Sequence, residues 1–235
     1  MSPGRLCFLV LIIIASSACT IYGGSDVDFQ VINNSPTTKG GARFMHEVGL
    51  NYTRYKMAVA SQFIWQNIFH QYKPCDRRNY QQVKLFINVF NASKVAYTGS
   101  GEIYFSANYL EKCPTRYIRR EFTGIMYREM ARVWQWNGGG QANPGLIDGI
   151  ANYVRMKANL APVGHSAKPR CGGRWDQGGD VTARFLDYCD SLRKGFVANL
   201  NMKMKYSYSD NYFQQLLGKS VNQIWRQYQK KYNRG

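Results

Sequence analysis

Between residues 106 and 118 the apolar residues of this chain change their spacing, and that change limits the fold more than any other feature. Before it come short runs that alternate with the period of a strand: DVDFQVIN, then Val83 to Phe90, Val95 to Tyr97 and Glu102 to Ser106. After it, Ile118, Phe122, Ile125, Met126, Val133 and Trp134 form one helical stripe over about 116–136. Asn137 and three glycines then permit a left-handed exit, and Pro144 opens the next element. Leu146, Ile147, Ile150, Tyr153, Val154 and Met156 mark a second helix, and Val181, Phe185, Leu186, Tyr188 and Leu192 a third. Further helices are predicted over 195–203, 210–217 and 220–232. Residues 44–70 carry one or two earlier helices, stopped by Pro74, while 34–43 hold enough turn formers to predict an irregular segment. A small sheet followed by a helical half predicts a single α+β domain, its sheet mixed or mainly antiparallel where short turns join the strands.

Arg5, the apolar run Leu6 to Ala15 and the small residues SSAC have the order of a secretory signal peptide over residues 1–19, which leaves a domain over 24–235. The apolar run is too short to span a ~30 Å hydrocarbon layer, so the expectation is a secreted protein, extracellular or apoplastic, without stable membrane insertion. Beyond Cys19 the cysteines are Cys75, Cys113, Cys171 and Cys189; in an oxidising compartment they predict two disulfides, with three pairings open. Asn51 and Asn91 head glycan-acceptor triplets, Asn91 at the better-placed loop tip. With 31 Lys+Arg against 14 Asp+Glu, the formal charge of +17 favours acidic partners, bound less tightly as salt rises. Tyrosines interleave with cations in KMKYSYSDNYF and WRQYQKKYNRG. No nucleic-acid recognition signature accompanies them, so nucleic acid is an unlikely partner, and no glycine-rich phosphate fingerprint points to a nucleotide cofactor.

The chemistry concentrates in Tyr127-Arg128-Glu129-Met130-Ala131-Arg132-Val133-Trp134-Gln135-Trp136. On a helix, positions 128 and 132 share a face with Glu129 beside them, the geometry a zinc peptidase uses when both outer positions are histidine. Imidazole lends a lone pair to zinc; guanidinium has none and stays protonated, so Arg128 and Arg132 repel a metal as well as fail to bind it. Glu129 without a metal to polarise a carbonyl or acidify water is a poor hydrolase. Two cations in such a pocket need partners, which predicts that Arg128 or Arg132 pairs with Glu129 or Asp148. His46, His70 and His165 are the candidate replacement ligands, with ordinary surface or loop roles as the simpler reading. Asp176 and Asp180 are expected to cap the helix that follows them. Of Trp134 and Trp136, which point in different directions, one belongs in the core and the other in a cleft or helix interface; Trp175 is expected to be a packed aromatic.

GGARF near 40, VWQWNGGG, NPGLIDGIANYVRMKANLAP, CGGRWDQGGDVTARFLDYCDSLRKGFVANLN and LLGKSVNQIWRQYQKKY together resemble the plant basic secretory proteins, a family of secreted, zincin-like peptidases tied to pathogen response. The resemblance runs from about 26 to 233. Typical members read HEMTHVWQW and GLIEGIADYVR in these blocks. The resemblance therefore implies a zincin-like domain, with the two histidine ligands at Arg128 and Arg132, the general base at Glu129, and an acidic third ligand at Asp148, where glutamate is more usual. The resulting expectation is a basic, defence-related pseudoenzyme without a cofactor, binding a peptide, a microbial component or an acidic cell-wall polymer. The alternative is a zinc-dependent or atypical endopeptidase that retains Glu129 as its base.

Overall fold

The computed structural model describes residues 27–90, 94–164 and 172–232. The predicted leader, the Asn91 triplet, His165 and Cys171 lie outside them. Strand β1 (Asp28–Asn33) leads into a short helix α1 (Lys39–Arg43), which runs on through a π turn, and then into α2 (Leu50–Phe63). Strands β2 (Gln82–Asn88), β3 (Ala96–Gly99) and β4 (Glu102–Ser106) follow. The spatial order is β1-β2-β4-β3. Only β3 and β4 are antiparallel, and β2 lies parallel to both β1 and β4. The sheet is thus mixed, and the short link after β2 does not make a hairpin: β4 takes the place beside β2 and sends β3 to the edge.

One face of the sheet buries Val83, Leu85, Ile87, Ile103 and Phe105. The other carries a cross-strand row in which Tyr104 stacks on Phe86 at 5.2 Å and on Tyr97 at 4.9 Å. Against the buried face lies α4 (Thr115–Trp134), reached through α3 (Ala107–Lys112). Helix α4 is buried on almost every side because the sheet and α2 cover one flank and α5 (Pro144–Lys157) the other. Its Trp134 is fully buried, donates from Nε1 to Ser61 Oγ at 3.0 Å and meets Trp65 edge-on. The helix ends as Gln135 turns extended, and Gly138, Gly139 and Gly140 all take positive φ, as the glycine run predicts.

A second aromatic core joins α6 (Gly179–Leu192), α7 (Phe196–Lys203), α8 (Asn211–Leu217) and α9 (Val221–Tyr232). Phe185 is its hub, meeting Trp225 at 5.3 Å and Phe213 at 6.1 Å, and Trp175 packs on Phe213 at 5.3 Å. Within the first half, Arg43 ties α1 to the end of α3: its Nη1 donates to the carbonyls of Leu110, Glu111 and Cys113 at 2.7–2.9 Å while Glu47 holds its other edge. A guanidinium here satisfies the carbonyls that the end of α3 leaves open.

The expected pair of disulfides is corrected in part. Cys75 is disulfide-bonded, but Cys113 and Cys189 are buried free thiols. An even cysteine count does not bring two of them together: Cys113 sits at the α3–α4 junction and Cys189 inside the packed face of α6. Burial pushes both thiols up. Iodoacetamide at neutral pH is therefore expected to spare both in the native protein and alkylate both after unfolding without reductant, as read by peptide mapping; protection of the pair in unfolded, unreduced protein would show that they are bonded.

Candidate functional site

The middle of α4 faces the sheet edge and the start of α6, and four charged side chains meet there in alternating sign. Glu129 is fully buried. Arg128 reaches its Oε1 from Nε at 2.9 Å and Nη2 at 2.8 Å, and Arg132 Nε lies 3.6 Å from its Oε2. Thr98 Oγ1, on edge strand β3, donates to the same Oε2 at 2.8 Å. Arg132 continues the chain through Nη2 to Asp148 Oδ1. The other Asp148 oxygen accepts the backbone N–H of Gly179 at 2.6 Å and the side-chain amide of Asn152 at 3.2 Å.

Each link follows from local structure. Positions 128, 129 and 132 lie within one turn of α4, so their heads converge without a loop to position them. Asp148 stands one turn into α5, which crosses α4, and its carboxylate also faces the first turn of α6, where unpaired backbone N–H groups and the helix dipole favour a negative group. The two arginine side chains are only about a quarter exposed, 22% and 25%. They are ion-paired and half-enclosed, not extended into solvent. The chain of opposite charges therefore fills the space around Glu129 and joins β3, α4, α5 and α6.

Arg128, Glu129, Arg132 and Asp148, the four positions legible in the sequence, are joined by the geometry. Thr98, Asn152 and Gly179 join them from outside the motif. Asn152 carried a usable signal, since it follows Asp148 by four residues and a helix makes such residues neighbours. The expected caps are corrected: Asp176 binds Arg174 and Asn143, and Asp180 binds Arg184 one turn along α6. The N-cap of α6 is Gly178, which has no capping side chain, and Asp148 serves that helix end instead. The Arg174 guanidinium holds the Asp176 carboxyl below the usual carboxylate range. His46 is exposed, and His70, in a left-handed conformation, stacks on Tyr72 at 5.7 Å. Trp136 is half-buried beside Arg78 and Lys205.

A family model described as "Peptidase of plants and bacteria" matches residues 24–228, and the chain belongs to that family. Among its relatives, a basic secretory protease of Boswellia serrata is 43% identical over 58 residues, 25% of this chain; the match spans 66% of that relative's length. No solved structure matches the chain.

Zinc is the metal that the family resemblance implies, and the residues present do not fit it. Two of the three ligand positions hold cations without a lone pair, and the third, Asp148, has both oxygens engaged by Arg132, Asn152 and Gly179. Among the described residues, no three side chains of His, Cys, Asp or Glu converge elsewhere to replace them. No helix among the described residues is long and apolar enough to cross a membrane.

Proposed function

We propose that this chain is a secreted, catalytically inactive member of its peptidase family that acts by binding. One observation carries the reading: Arg128, Glu129, Arg132 and Asp148 satisfy one another. A general base must have an oxygen free to take a proton from a bound water, whereas both oxygens of Glu129 are committed, one to Arg128 and one to Thr98 and Arg132. The family supplies the scaffold, but chemistry belongs to the residues at the site. The relative named a basic secretory protease supports secretion, as does the apolar leader-like run at the start of the sequence. The excess of 31 Lys+Arg over 14 Asp+Glu directs the binding function towards acidic partners.

The test pairs the secreted native protein with its R128H/R132H double variant, assayed together for zinc content and peptidase activity. Two imidazoles with the Asp148 carboxylate make the three-ligand set of a catalytic zinc site. The native protein is expected to carry neither zinc nor activity, and the double variant to take up zinc. Stoichiometric zinc with chelator-sensitive proteolysis in the native protein overturns the proposal.

A further inference from the structure

Away from the ion chain, three segments converge beyond the C-terminal end of α4. Lys205 Nζ donates to the Cys75 carbonyl at 3.4 Å, Gly138 N–H to the Met204 carbonyl at 2.7 Å, and Trp136 N–H to Asn201 Oδ1 at 2.8 Å. The surface they build is aromatic and cationic. Lys205 Nζ stands 5.4 Å from the Trp136 ring centre and 5.5 Å from that of Tyr206, and the Arg78 guanidinium lies 6.0 Å from Trp136 and 5.2 Å from Tyr80. Tyr206 is 79% exposed. Among the described residues neither Arg78 nor Lys205 is ion-paired; their hydrogen bonds go to backbone carbonyls. Asp76 is the carboxylate of the adjoining loop, and its Oδ2 accepts the Lys73 backbone N–H.

An exposed tyrosine and a half-buried tryptophan with unpaired cations beside them call for a ligand that offers a stacking face and a negative charge at close range. In a uronic acid the carboxylate is carried by the sugar ring that stacks, so ring-binding and charge-binding groups must be immediate neighbours, as Tyr206 and Lys205 are. In a nucleotide the ribose separates phosphate from base, and the cation belongs farther from the stacking ring. Repeated along a polymer, such contacts add to the attraction of a strongly basic chain. We propose that Arg78, Trp136, Lys205 and Tyr206 form a binding site for an acidic polysaccharide of the polyuronate class. This rests on the reading of the chain as a secreted binding protein and names its partner.

The experiment measures the affinity of the full secreted chain for polygalacturonate at fixed salt, with methyl-esterified polygalacturonate, polyglutamate and single-stranded DNA as competitors. Tyr206→Ala and the R78Q/K205Q pair are compared with R226Q/K230Q, an equal loss of charge on α9. The first two are expected to weaken binding about tenfold, a free-energy change of ~1.4 kcal/mol, and the α9 pair less than about twofold, as exposed charges acting through screened solvent should. Unchanged melting temperatures confirm that the variants fold. Equal losses from the two double variants, or equally tight binding of the esterified polymer, polyglutamate or DNA, overturn the site. Zinc and peptidase assays on the same preparations judge the pseudoenzyme reading separately: zinc-dependent proteolysis by the native chain defeats that reading whether or not polygalacturonate binds.

Discussion

Replacing Glu129 by glutamine is expected to destabilise the protein by about 3 kcal/mol, near the low end for breaking a buried ion pair. In a working metallopeptidase the same change removes a base and spares the fold. Here it leaves Arg128 and Arg132, two cations one turn apart, facing a neutral amide in a pocket where Glu129 is fully buried. Their partial exposure tempers the penalty. For a chain of this length the loss corresponds to a fall in melting temperature of about 6–12 °C. Asp148→Ala should act in the same direction by removing one partner of Arg132 and uncapping α6, and the double variant should lose more than the sum because each single variant leaves Arg132 one carboxylate and the double leaves it none. Thermal or urea unfolding reads both; a wild-type melting temperature in Glu129→Gln would show that the ion chain contributes nothing to stability.

The second large effect lies in the close approach of α5 and α6. A Cβ at Gly145 would stand 1.8 Å from the Asp176 carbonyl oxygen, and one at Gly149 would stand 2.2 Å from Thr182 Cγ2. The first obstacle is backbone and cannot rotate away. Gly145→Ala is thus expected to cost at least about 3 kcal/mol, at the upper end of overpacking, because α6 must move off α5. The displacement carries Gly179 away from Asp148 and loosens the ion chain, so the variant should also lose amide-exchange protection at Gly179. Wild-type stability, or full protection at Gly179 in a destabilised variant, would separate the helix contact from the site.

What could be read from the sequence was what is local. The stripe of Ile118, Phe122, Ile125 and Val133 is long enough to fix α4, and all four side chains are buried. Helix α3 has six residues, too few to show a period. Helix α1 is disguised by Gly40 and Gly41, which look like turn residues but leave room for the carbonyls of Ala107 and Ser35. The parallel pairing of β1, β2 and β4 joins strands distant in the chain, and alternation within a strand does not choose its neighbour. The site divides in the same way. Arg128, Glu129 and Arg132 belong to one turn of one helix, and Asp148 came through the family blocks; Thr98 arrives from a sheet edge and Gly179 from another helix, with no motif to announce either.

The ion chain makes its members interdependent. Because Arg128 and Arg132 lean on the same carboxylate, a histidine introduced at only one of the two positions would surrender an ion pair before a second imidazole existed to share a metal. Change at this site therefore comes at a cost when it is taken one residue at a time, and the two arginines behave as a single unit of the fold.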